Sequence, residues 1–256
     1  MLRRTLRERF LVRHLTALRG PALELGPGPG RFTPLLRASV RGRVVAVDLS
    51  RNSLLAARRR VRSRNRPARV DWVQAAGERL PLRARCVDGI LALGNIVSFA
   101  SRDAPVLLSE LARVCRPGAR VVADFPSPVG SAQEFFRLAS RRRFLGRVLR
   151  RPRYYFVDQV LDSGFQPFAP RRLGRWEFRF YTAEQASEEL ERAGFDVVDT
   201  MSVAPIARMD DRVIAVARRD AHTWRSLLRI EERAGRRPGT YESGDGFVVA
   251  AVRRRR

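Results

Sequence analysis

The stretch that decides the reading is Ala22-Leu23-Glu24-Leu25-Gly26-Pro27-Gly28-Pro29-Gly30-Arg31-Phe32-Thr33. Ala22, Leu23 and Leu25 make a short apolar strand. Gly26, Gly28 and Gly30 occupy every second position, so no Cβ intrudes and a ligand can lie directly on the backbone. Phe32 opens a helix whose first N–H groups are free and whose dipole is positive at that end; Pro34 is tolerated in its first turns. The dinucleotide fingerprint needs G-x-G-x-x-G. Here the sixth position is Arg31 counted from Gly26, or Thr33 counted from Gly28. What stands instead is E-x-G-x-G-x-G.

Outward from this loop, strands and helices alternate. Residues 2–19 carry Leu6, Phe10, Leu11, His14, Leu15 and Leu18 at helical spacing, and His14 reads as a partly buried helix residue. Residues 43–48 form a second strand, apolar on both faces as a parallel strand between helix layers must be. It ends in Asp48, which can accept hydrogen bonds from ribose hydroxyls or cap the next element. Ser50 caps a helix to about Ser63. Residues 70–74 and 87–93 are strands three and four. Residues 108–115 form a helix that Pro117 and Gly118 end, and 119–125 are strand five. Residues 126–180 break the alternation and are rich in Arg and in Phe135, Phe136, Phe144, Tyr154, Tyr155, Phe156, Phe165 and Phe168, with strand-like alternation over 176–181. Thr182 and Gln185 make a capping box for a helix to Ala193. Residues 194–199 are strand six. The stretch 212–218 fits a seventh strand or part of a helix face running to Ala234, and 246–252 is the better terminal strand.

The glycine loop resembles the first motif of the class I S-adenosylmethionine (SAM) dependent methyltransferases. Two further segments carry the resemblance. Ala75-Ala76-Gly77-Glu78-Arg79-Leu80-Pro81 is similar to the family's G-D-A-E-x-L-P beside the adenine, with Ala76 where the family has Asp. Leu108-x-Glu110-x-x-Arg113-Val114-x-Arg116-Pro117-Gly118 before an apolar strand resembles the small-molecule and lipid branch. The resemblance implies an α/β fold: a seven-stranded, mostly parallel Rossmann-like sheet, helices on both faces, and a cap inserted between strand five and the following helix. It implies a SAM-binding core over 1–125, a substrate-binding cap over 126–180 and the rest of the sheet over 181–256. It places the cofactor on Glu24, Gly26, Pro27, Gly28, Gly30, Asp48, Leu49, Ala76, Gly77, Glu78, Leu93 and Asn95. The implied reaction is methyl transfer to a small-molecule or lipid-like acceptor. Two alternatives stay open. One is an rRNA or other nucleic-acid methyltransferase, less favoured because Asn95-Ile96-Val97-Ser98 lacks the N-L-P-Y aromatic clamp. The other is a SAM-binding protein without catalysis.

Composition bounds the rest. The 256 residues are 45% hydrophobic, enough for one α/β domain with an insertion. No apolar run approaches the ~18 residues of a membrane span, and the Arg-rich start lacks the apolar core of a signal peptide. Cys86 and Cys115 fall in apparent core elements, which suits a reduced cytoplasm. With two cysteines and two histidines no zinc site is credible. The net charge of +25 comes from arginine alone, for the chain has no lysine. It reads either as a coding bias toward Arg or as a face for a polyanion or membrane surface. No motif fixes the acceptor atom or a catalytic base.

Overall fold

The computed structural model describes residues 1–16, 18–62, 70–141, 156–168, 176–207 and 210–255. Seven strands form one sheet in the order β3-β2-β1-β4-β5-β9-β8: β1 Ala22–Leu25, β2 Val44–Asp48, β3 Val70–Gln74, β4 Val87–Ala92, β5 Cys115–Phe125, β8 Phe195–Ser202 and β9 Phe247–Arg253. β6 (Phe165–Phe168) and β7 (Trp176–Arg179) form a separate antiparallel pair. The helices are α1 Leu2–Leu15, α2 Thr33–Ser39, α3 Arg51–Arg62, α4 Ile96–Ala100, α5 Ala104–Val114, α6 Pro128–Arg141, α7 Phe156–Ser163, α8 Ala183–Arg192, α9 Asp211–Ala217 and α10 Ala221–Gly235. This is the Rossmann-like α/β architecture that the alternation predicts, with the insertion after β5. Phe144, Tyr154 and Tyr155 lie outside the described residues.

The chain divides into two compact units. One comprises Arg7–Asp124, Ser187–Asp199 and Val249–Arg256. Its centre is parallel: Leu23 pairs with Val45 on one side and Ile90 on the other, and Glu24 with Ala46 and Leu91. Leu23, Val44, Val47, Ile90, Val121 and Val122 are fully buried, each stabilising by ~1.5–3 kcal/mol. β1 is buried along its whole length because helices cover both faces of the sheet. His14 is buried and its Nε2 lies 2.8 Å from Asp199 Oδ2. The other unit comprises Met1–Leu6, Phe125–Ala186 and Thr200–Val248. There Phe125 stacks on Phe247 at 5.5 Å and meets Tyr181 edge-on at 5.2 Å.

Local caps place several helix ends. Gln185 N–H donates to Thr182 Oγ1 at 3.1 Å and Thr182 N–H donates to Gln185 Oε1 at 3.1 Å, the reciprocal capping box. Ser53 N–H donates to Ser50 Oγ. Residues 212–218, left between strand and helix by their pattern, are helical in α9. Asp210 decides it by accepting the N–H groups of Arg212 and Val213. α5 begins at Ala104, earlier than the apolar spacing suggests, with Pro105 in its first turn. β5 begins at Cys115, before the Pro117-Gly118 stop, and its pairing with β4 shifts register there: Val87 lies opposite Cys115 and Gly89 opposite Arg120, so the extra residues are in β5.

Candidate functional site: a glycine-floored cavity at the carboxyl ends of β1, β2 and β4

A cavity of about 600 Å³ opens at the strand ends within the first unit. Of the residues singled out in the sequence, Glu24, Gly26, Pro27, Gly28, Asp48, Leu49, Gly77, Glu78 and Leu93 line it. Gly30, Ala76 and Asn95 do not, and each has another physical role. A Cβ at Gly30 would stand 2.9 Å from Ala57 Cα, so this glycine lets α3 approach the loop. Ala76 sits in a turn, its carbonyl accepting Arg79 N–H. Asn95 is held by its backbone, as described below.

Gly28 is the open point of the loop. Its φ is +51°, a region that side chains rarely adopt, and an added Cβ would meet nothing within 4 Å. The space above it belongs to the cavity. Asp48 is fixed from two sides: Gly28 N–H donates to Oδ2 at 3.0 Å and Ser50 N–H to Oδ1 at 2.8 Å. It is therefore both a cap for the turn into α3 and a carboxylate at the cavity wall. Each oxygen keeps capacity for a further donor.

Glu24 is the unusual member. It stands in β1 between Ala46 and Leu91 and is buried. Burial pushes its carboxyl up to about 7, and the Asp48 carboxylate adds to the rise. The adjacent Thr33 hydroxyl opposes this, although Thr33 Oγ1 and Glu24 Oε2 complete no hydrogen bond of normal geometry. A buried carboxyl oxygen with no partner, at the wall of a cavity, calls for a ligand that supplies a donor or a positive charge.

Two supports were not legible from motif spacing. Asp124, at the end of β5, accepts Gly94 N–H and Asn95 N–H at Oδ1, at 2.8 and 2.7 Å, and Arg7 Nε at Oδ2, at 3.1 Å. It pins a segment in which Gly94 and Asn95 both have positive φ, and from which Gly94, Ile96, Phe99 and Ala100 face the cavity. The available signal was a carboxylate closing an apolar strand, the same pattern that marks Asp48. Second, Glu110 accepts Leu80 N–H at 2.7 Å while Arg113 donates to Leu80 O at 3.2 Å and to Glu110 at 2.6 and 2.7 Å. The Arg113 guanidinium holds the Glu110 carboxyl below its usual range. The E-x-x-R of α5 thus grips the segment that brings Gly77 and Glu78 to the cavity.

The arrangement was compared with known proteins. Residues 22–118 match the methyltransferase domain family. The biotin biosynthesis bifunctional protein BioHC of Cellvibrio japonicus is 33% identical over 133 residues, 49% of this chain and 25% of that protein, so the chain spans about a quarter of its length. The ubiquinone/menaquinone biosynthesis C-methyltransferase UbiE of Xylella fastidiosa is 28% identical over 173 residues, 59% of this chain and 68% of that one. In fold, the Burkholderia thailandensis 1,6-didemethyltoxoflavin-N1-methyltransferase, solved with 1,6-didemethyltoxoflavin and S-adenosylhomocysteine, superposes with a TM-score of 0.57 at 17% identity. That superposition covers 99% of this chain and 79% of that one. The cradle over Gly28 and the orphaned oxygen of Glu24 fit the amino-acid end of SAM. Residues 22–118 thus carry a methyltransferase domain, and the strand order around the glycine loop and Asp48 is the Rossmann-like fold shared with solved SAM-dependent methyltransferases.

Proposed function

We propose that this chain moves a methyl group from SAM to a small-molecule or lipid-like acceptor by in-line displacement. The observation that carries the reading is the convergence, in one cavity, of an open glycine floor, the fixed Asp48 carboxylate and the buried, unpartnered Glu24 oxygen. When bound, SAM supplies a methyl already attached to a good leaving group. The chain's own residues position and exclude water. Glu24 faces the cationic amino-acid end, and Gly26, Pro27 and Gly28 let that end lie on the backbone. Asp48 accepts from the ribose hydroxyls, Leu49 covers the adenine, and Gly77, Glu78 and Leu93 close its edge. Gly30, Ala76 and Asn95 shape the wall through their backbone. Residues 126–180 form the acceptor side.

The acceptor class draws support from the relatives' names, which refer to biotin and to ubiquinone/menaquinone biosynthesis, and from the small molecule held by the toxoflavin enzyme. The test is transfer of labelled methyl from SAM to a small-molecule and lipid extract, and in parallel to total RNA, at about 150 mM salt, where weak polyanion contacts are screened. Label in the extract is the expected result. Label at one RNA position with none in the extract would overturn the acceptor class.

A further inference from the structure

We infer that the outer face of α3 is a docking surface for an anionic lipid bilayer. The chain steps from β1 to β2 to β3 in one direction across the sheet, which sets α2 and α3 side by side in one layer. Gly30 packs on Ala57 where the two meet. On α3, Leu54, Ala57 and Val61 face inward and are buried. Arg51, Leu55, Arg58 and Arg59 share the opposite face and are exposed. Arg31, at the cavity rim before α2, is exposed as well.

These arginines are not neutralised. Arg3, Arg7, Arg43, Arg113, Arg116, Arg137, Arg192 and Arg254 all pair with carboxylates. Among the described residues, Arg31, Arg51, Arg58 and Arg59 form no ion pair. α3 itself, Arg51–Arg62, holds five Arg and no acidic residue, whereas the whole chain has 26 acidic residues in 256. A coding bias toward Arg replaces Lys; it does not remove Asp and Glu. The local charge is therefore a property of this face.

The apolar side chains interleaved with the charge favour a bilayer over nucleic acid. Single-stranded nucleic acid is held by Arg together with aromatic stacking platforms, and neither α2 nor α3 contains an aromatic residue. The exposed large apolar group on this face of α3 is aliphatic, Leu55 at 42%. Arg drawn to anionic headgroups, with aliphatic tips entering the headgroup boundary, is the chemistry of surface attachment. No described helix is long and apolar enough to cross a membrane. Leu49, two residues before α3 begins, lines the cavity, so the start of the docked helix borders its mouth. That this delivers the acceptor from the bilayer rests on the proposed methyl transfer.

The test uses the full chain without cofactor, sedimented with vesicles of phosphatidylcholine alone or mixed with phosphatidylglycerol, and SAM calorimetry on the same samples. Binding to the phosphatidylglycerol vesicles only is expected, weakening with salt. The variant Arg51→Gln/Arg58→Gln/Arg59→Gln is expected to bind them on the order of 100-fold more weakly, at roughly fivefold per Arg. Leu55→Ser is expected to weaken binding several-fold, and both variants to keep SAM affinity. Indifference to phosphatidylglycerol, or wild-type binding by the triple variant, would overturn the inference. So would RNA displacing the vesicles at matched phosphate with Leu55→Ser without effect. A parent chain that binds vesicles but not SAM would sink the proposed function and leave the docking surface standing.

Discussion

Glu24 is a cost to the cofactor-free fold, because its carboxyl is buried in β1 between Ala46 and Leu91 with one oxygen unpartnered. With its folded value near 7 against an ordinary 4.5, its ionised form is disfavoured in the fold. Its stabilising contribution is thus full below about pH 4.5 and lost as pH rises through about 7, a change of about 3 kcal/mol. Glu24→Gln should remove that slope. Urea unfolding without cofactor at either end of this range should show the variant gaining on the wild type as pH rises; parallel curves would place the charge elsewhere. Asp48→Ala removes the acceptor of Gly28 N–H and Ser50 N–H and, in the proposed function, that of the ribose. SAM binding should weaken by ~1.5–3 kcal/mol in calorimetry, and unchanged affinity would remove Asp48 from the cofactor. Gly28→Val would place a branched side chain at φ +51° and fill the open floor. The variant should stay folded by circular dichroism and lose SAM binding; normal binding would mean that the ligand does not lie on this loop.

At the scale of elements, the cavity is assembled by strand ends and gripped from behind. α5 holds the segment after β3 through Glu110 and Arg113: Leu80 N–H donates to Glu110 at 2.7 Å, Arg113 donates to Leu80 O at 3.2 Å, and two further bonds join Arg113 to Glu110. Glu110→Ala leaves Leu80 N–H without its acceptor. Hydrogen bonds to charged groups are worth ~1.5–3 kcal/mol, so the variant should melt lower and bind SAM several-fold more weakly, since Gly77 and Glu78 lose their support. A lower melting point with unchanged SAM affinity would confine the clamp to stability. The pair's charge also sets a direction with pH. The Glu110 carboxyl is held below its usual range, so its contribution is present above the ordinary carboxylate range and lost as pH falls through its lowered value.

For the whole molecule, a net charge of +25 makes some binding to any polyanion unavoidable. For a chain that is not a dedicated RNA enzyme, RNA binding should be tolerant of sequence and steeply salt-dependent. Roughly 6–10 phosphate contacts would cost ~10³–10⁵ in affinity between about 50 and 200 mM salt. Filter binding over that range checks it. A preferred site that survives the higher salt would put the nucleic-acid reading ahead of the small-molecule one.

The sequence by itself determined the alternation of elements, the glycine loop and the strand end at Asp48, because these are local: period, Cβ absence and a carboxylate after an apolar run are visible within a few residues. It also contained the capping box at Thr182 and the E-x-x-R of α5, though not what that pair holds. Tertiary structure decided the rest. Only folding places Glu24 between Ala46 and Leu91 and so raises its carboxyl, since desolvation depends on neighbours about twenty and sixty-seven positions away in the chain. Only folding turns Gly30 toward Ala57 and Gly28 toward the cavity, although the sequence presents them as equivalents. Asp124 becomes a support for Gly94 and Asn95 because β5 pairs beside β4. Residues 212–218 had two periods that fitted, and the carboxylate of Asp210, just outside the segment, accepts the N–H groups of Arg212 and Val213 and so favours the helix that runs to Ala217.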